Sequence, residues 1–145
     1  MSYQEVISFA LLFVTMLLWG ATPLFEKIGL KEVEPLTGVL IRSAAITVIL
    51  LLVYIFSGRT HELTKVSLKN YALFTASGVM AGLVGMWTYF YLLRSGMTSK
   101  IVPIAASYPL ITAILSIAIL GEGVTVQRVI GIIMTIVGII LIQQS

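Results

Sequence analysis

Residues 6–25 read VISFALLFVTMLLWGATPLF, a run without a single charged side chain. As a helix rising 1.5 Å per residue, this run is ~30 Å long, the thickness of a bilayer's hydrocarbon layer. It lacks the strict alternation of a membrane barrel strand, so a helix is the form in which it satisfies its backbone groups in lipid. Four more uncharged stretches follow, Ser43–Gly58, Asn70–Leu93, Ile101–Gly121 and Val129–Ser145. The chain has 145 residues, 59% hydrophobic and only 10% charged, with a mean hydropathy of +1.07. It cannot clothe itself in an ordinary water-solvated surface. These observations predict an all-α, polytopic integral membrane protein with five transmembrane helices, surrounded by the lipid bilayer.

The predicted helices cover about 6–30, 36–56, 68–93, 101–120 and 127–142, within a single transmembrane domain over 1–145. The N-terminal Met-Ser-Tyr-Gln-Glu has no basic n-region and the first apolar stretch is a full span, which reads as an uncleaved first helix. Lys31-Glu32-Val33-Glu34-Pro35 is a tight turn into the second helix. The longest connection, Ser57 to Lys69, holds Arg59, His61, Glu62, Lys65 and Lys69 and has loop composition throughout. Gly121-Glu122-Gly123 separates the fourth helix from the fifth.

No internal repeat is visible. Many transporters bind solute between two inverted repeats, and one chain of five spans supplies one of them. The expected partner is therefore a second copy or a paralogous five-helix subunit, each chain being half of a ten-helix inverted-repeat transporter. Arg59, Lys65, Lys69 and Arg128 fall on the side of the N-terminus and Lys27, Lys31, Arg94 and Lys100 on the other, four against four. Short basic loops set orientation, so an even count expresses little preference. The longer basic loop at 57–69 favours a cytoplasmic N-terminus, while the even count favours insertion both ways.

At 100° per residue, Ser8, Thr15, Trp19, Thr22 and Glu26 form one stripe of the first helix, and Tyr108, Thr112 and Ser116 one stripe of the fourth. Such hydroxyls either bond back to their own helices or line a pathway. Each stripe holds a proline. Pro23 leaves the Trp19 carbonyl without its helical donor and Pro109 does the same to Ala105, so both positions are candidate kinks and hinges. The third helix sets Met80, Val84, Trp87 and Tyr91 on one face and Gly78, Gly82 and Gly85 on the other. The glycine face suits close packing, which turns Trp87 and Tyr91 toward a cavity or toward lipid. The candidate substrate pathway is thus Trp19, Thr22, Trp87, Tyr91, Tyr108 and Thr112.

Arg42 is the one charge clearly inside a span, where it needs a partner, water or a route to the headgroups. Measured from Val33, Glu26 lies ~10 Å and Arg42 ~13 Å deep, so a buried ion pair between them is geometrically reasonable. On the fifth helix Gly131, Thr135 and Gly138 make a small-residue seam suited to dimer contact.

Catalysis finds little support. The chain has no Asp and no Cys, its one His, His61, sits in a loop, and no His or carboxylate group has metal-ligand spacing. Ser77 beside Gly78 has no His in any span to act as its base. No catalytic residue, metal or cofactor is expected. The net charge of +3 comes from residues scattered at helix ends, which fits lipid headgroups and gives no reason to expect nucleic acid.

Trp19-Gly20, Lys27, Arg42, Tyr108-Pro109-Leu110, Gly121-Glu122, and Gly131 with Gly138, in this order across five spans, resemble the EamA domain of the drug/metabolite transporter superfamily. The resemblance covers nearly the whole chain. It implies a transporter of metabolites such as amino acids or other small organic compounds in a bacterial or archaeal plasma (inner) membrane, usually built from two such domains in inverted orientation. The last helix also looks like the dimerising helix of the related small multidrug resistance transporters, which work as antiparallel dimers. That family couples protons through a glutamate in its first helix; aligned on Lys27, this chain has Trp19 there, so proton coupling by that route is unsupported. The expectation is a secondary transporter whose antiparallel dimer encloses a cavity lined by helices one, three and four. The alternative is a structural or accessory membrane protein that only packs within a larger complex.

Overall fold

The computed structural model describes residues 3–145; Met1 and Ser2 of the N-terminal reading lie outside the described residues. Among the described residues all regular structure is helical. Five helical stretches are long and apolar enough to cross a membrane: Tyr3–Gly29, Pro35–Phe56, Leu68–Ser95, Thr98–Leu120 and Val126–Gln144, of 27, 22, 28, 23 and 19 residues. The protein is an all-α, multi-pass membrane protein. Its chain forms two compact units, the first ending at Ser95 and the second beginning at Gly96.

The first unit holds α1 (Tyr3–Gly29), α2 (Pro35–Phe56), a short α3 (Thr60–Thr64), α4 (Leu68–Ser77), a π-helical segment (Gly78–Gly85) and α5 (Met86–Ser95). Helix α2 starts where it does because the Glu34 carboxylate accepts the Thr37 backbone N–H at 3.1 Å and Pro35 occupies the first turn, where a missing N–H costs nothing. The connection expected as plain loop contains α3. Arg59 Nε donates to Glu62 Oε1 at 3.0 Å, and the Tyr71 hydroxyl donates to the Leu63 carbonyl at 2.7 Å. Five residues are too few to show a helical period in sequence.

The third span is not one α-helix. Between α4 and α5 the segment Gly78–Gly85 winds with i→i+5 bonds, so the 100° projection that set Gly78, Gly82 and Gly85 against Trp87 and Tyr91 does not carry across it. Glycine suits its end, because a Cβ on Gly85 would stand 3.1 Å from the Met80 carbonyl oxygen, a tight contact.

The unit's core lies where the first hairpin meets α5. Leu30, Val39, Phe90 and Leu93 are buried, together with Pro23 and Pro35. Gly38 permits this approach: a Cβ there would stand 3.3 Å from the Phe90 ring and 3.6 Å from Leu30. The remaining surface of the spans is apolar and exposed, as suits contact with lipid or partner helices.

The second unit holds α6 (Thr98–Ala105), α7 (Tyr108–Leu120) and α8 (Val126–Gln144), with α6 packed on α8. The fourth span breaks at Ala106 and Ser107, just before Pro109, which sits in the first turn of α7; Pro103 lies inside α6. By contrast α1 passes through Pro23 without interruption. Gly121, at φ +68, closes α7 in the left-handed conformation that glycine tolerates. The Thr125 hydroxyl accepts the Arg128 N–H at 3.2 Å and so caps α8.

Candidate functional site

The first hairpin and α5 enclose a groove of ≈ 440 Å³ whose walls include Thr22, Phe25 and Glu26 of α1, Ile41 and Arg42 of α2, and Phe90 of α5. The hairpin turn brings the end of α1 and the start of α2 side by side, so residues at similar distance from the turn face each other. Arg42 Nε stands 3.9 Å from Glu26 Oε1. That is close enough for strong attraction beside apolar walls, yet longer than the ~2.7–2.9 Å of a charge-assisted hydrogen bond. The Glu26 side chain is 10% exposed and that of Arg42 43% exposed. The carboxylate is thus set into the wall, while the guanidinium is accessible from the groove.

Lys27, the next residue along α1, serves a different element. Its Nζ donates to the carbonyls of Leu93 at 2.6 Å and Arg94 at 3.0 Å, which are among the last carbonyls of α5. Helix ends leave such acceptors without intrahelical donors, and a cation there both satisfies them and offsets the helix dipole. Lys27 therefore ties α1 to α5 and keeps Phe90 in the groove wall.

Of the pathway residues proposed from sequence, Thr22 lines this groove together with Glu26 and Arg42, whereas Trp19, Trp87 and Tyr91 are exposed and outside its lining. The hydroxyl stripe of the first helix is bonded to its own backbone: Ser8 to the Gln4 carbonyl at 2.9 Å, Thr15 to Leu11 at 2.9 Å and Thr22 to Leu18 at 2.7 Å. Sequence reasoning missed Phe25, Ile41 and Phe90 as walls. Their signal was weak, since apolar residues in a membrane span look alike until a neighbour covers one side.

In the second unit a separate groove of ≈ 390 Å³ is lined by Ser107, Pro109, Arg128, Gly131 and Thr135, among others. Tyr108 is exposed and the Thr112 hydroxyl donates to the Tyr108 carbonyl at 3.3 Å; neither lines this groove. The Thr135 hydroxyl donates to the Gly131 carbonyl at 2.8 Å. Arg128 Nη1 donates to the Gly123 carbonyl at 3.0 Å and lies 3.5 Å from Glu122 Oε2. A Cβ on Gly131 or Gly138 would meet nothing within 4 Å, so the small-residue seam of α8 remains open to a further helix. Among the described residues no cluster of three His, Cys, Asp or Glu side chains stands ready for a metal ion.

A family model described as the EamA-like transporter family matches residues 6–144. The chain is also similar to an uncharacterized protein of Methanocaldococcus jannaschii, with 34% identity over 98 residues, 68% of this chain and 69% of that protein. No solved structure matches it.

Proposed function

This chain belongs to the EamA-like transporter family, and on that premise we propose that it is the five-helix subunit of a secondary transporter that moves a small organic metabolite or drug. The family is one of membrane transporters within the drug/metabolite transporter superfamily, and its members are transporters rather than enzymes. What carries the reading for this chain is the groove beside α1 and α2, where a carboxylate and a guanidinium meet inside apolar spans. Charges set within a membrane span are costly and mark solute or ion pathways.

In this reading two chains insert in opposite senses and enclose a midplane cavity, each supplying one repeat of an inverted pair. Four basic residues flanking the spans on each side support opposed insertion, and the open seam Gly131, Thr135 and Gly138 on α8 is the contact between copies or with a paralogue. Alternating access uses the fourth span's break at Ala106 and Ser107 beside Pro109, with Pro23 as the corresponding weak point of α1. The site is a plasma (inner) membrane of a bacterial or archaeal cell.

The test is flux. Purified protein reconstituted into liposomes, alone and with a co-expressed paralogue, should accelerate uptake of at least one member of a broad metabolite panel over protein-free liposomes. No acceleration for any member would remove the transport reading and favour an accessory role in a larger complex.

A further inference from the structure

We infer that the connection between the second and third spans is a docking surface for anionic phospholipid headgroups, which the ammonium groups of Lys65 and Lys69 engage. The inference is independent of the transport reading. The second span ends at Phe56 and the third begins at Leu68, so the residues between them lie at one face of the membrane, among headgroups. Arg59 is paired with Glu62 at 3.0 Å. Lys65 and Lys69 are exposed, and among the described residues neither ammonium has an ion pair or a hydrogen bond. Lys69 stands in the first turn of α4 with no acid beside it, at the end where a cation opposes the helix dipole. Helix stability therefore does not explain its place, whereas an anion supplied from outside the chain does.

The surroundings point to a lipid rather than a dissolved anion. Phe56 and Leu68, at the two ends of the connection, are each 85% exposed, and Leu63 and Val66 between them are exposed as well. Apolar side chains beside lysine ammoniums match a phospholipid, whose phosphate sits over its acyl chains, and lysine stems reach such a boundary readily. The connection also holds a shape. The Tyr71 hydroxyl donates to the Leu63 carbonyl at 2.7 Å and the Ser67 hydroxyl accepts the Asn70 N–H at 3.3 Å, so the stretch that carries Lys65 is tied back to the start of α4, which carries Lys69. A zwitterionic headgroup brings its own ammonium and gains less from two lysines than an anionic one. Other basic residues are placed differently: Lys27 is engaged by the α5 carbonyls, Arg128 by Gly123 and Glu122, and Lys31 is followed by Glu32 and Glu34.

The experiment reads lipid composition at this surface. Thr64→Cys, in a chain without native cysteine, carries a fluorophore, and the full chain sits in phosphatidylcholine nanodiscs with increasing mole fractions of doxyl-labelled phosphatidylglycerol or doxyl-labelled phosphatidylcholine. Half-quenching should need about fivefold less of the anionic lipid, or better, the advantage expected of one well-placed lysine. Lys65→Gln and Lys69→Gln should each reduce this preference, and together they should bring the two lipids to parity. Lys31→Gln, which removes the same kind of charge from the first hairpin turn, should leave the preference in place. Inorganic phosphate, with ionic strength held constant, should leave it as well. Equal quenching by the two lipids in the labelled protein overturns the inference. So does a preference that survives the loss of both lysines, or one that falls as far with Lys31→Gln as with Lys65→Gln. Loss of the preference to inorganic phosphate assigns the surface to a dissolved anion and overturns the inference equally.

Discussion

In the first unit four apolar side chains, Leu30, Val39, Phe90 and Leu93, are buried, and a lysine reaches from α1 to the last carbonyls of α5. In the second unit no side chain of α6, α7 or α8 is buried, and the hydroxyls of Thr112 and Thr135 bond within their own helices. The grooves differ in the same sense. One sets two opposite charges facing each other across an open space, while the other's single guanidinium is already engaged by Gly123 and Glu122. The first unit thus carries its own tertiary lock and a site with a long ion pair whose guanidinium is accessible. The second presents helix surfaces that nothing within the unit buries.

Unequal penalties for substitution would sharpen that contrast. The largest expected effect is Phe90→Ala, which removes a buried ring from the α2–α5 contact and should destabilise by about 3 kcal/mol in an unfolding titration from mild detergent into SDS. Leu115→Ala, on the exposed surface of α7, should cost under about 0.5 kcal/mol. Equal losses at the two positions would erase the distinction between the units. Lys27→Met leaves the Leu93 and Arg94 carbonyls without their cation, and a loss of about 2 kcal/mol is expected in the same titration, with Lys27→Arg recovering part of it.

Capping should treat both units alike. Glu34→Ala and Thr125→Ala each remove one side-chain cap, and each should cost about 1 kcal/mol. The smallest expected effect is Glu122→Gln, which breaks a contact of 3.5 Å between groups 42% and 48% exposed. Solvent screening there keeps the change under about 0.5 kcal/mol. A cost well above that would mean that the Glu122 and Arg128 contact is buried by a partner in the membrane.

Much of this architecture can be read directly from sequence because lipid imposes a severe rule: a span must be long, apolar and helical. VISFALLFVTMLLWGATPLF at 6–25 obeys it without ambiguity. The Glu26 and Arg42 contact is also open to sequence reasoning, since a hairpin turn fixes which depths on α1 and α2 face each other. What sequence hides is whatever depends on a third element. Lys27 looks like an orientation charge until α5 brings two carbonyl oxygens to it, and backbone acceptors leave no mark in a side-chain pattern. Gly38 looks like any membrane glycine until the Phe90 ring closes on it. The π-helical winding at Gly78–Gly85 shifts every helical projection beyond it, and three glycines in that segment permit the change without requiring it. The break at Ala106 and Ser107 precedes Pro109 because proline has no N–H to give the Ala105 carbonyl, clashes with it in a continuous helix, and suits a helix's first turn.

Opposed insertion of two five-helix chains is the assembly that the transport reading proposes, and the absence of native cysteine makes it directly measurable. One cysteine at His61→Cys, in the connection between the second and third spans, is labelled in intact cells with a membrane-impermeant maleimide before and after permeabilisation. Opposed insertion predicts that about half of the chains label from outside. Labelling of essentially none until the membrane is opened, or of all before it is, would contradict pairing with an inverted second copy.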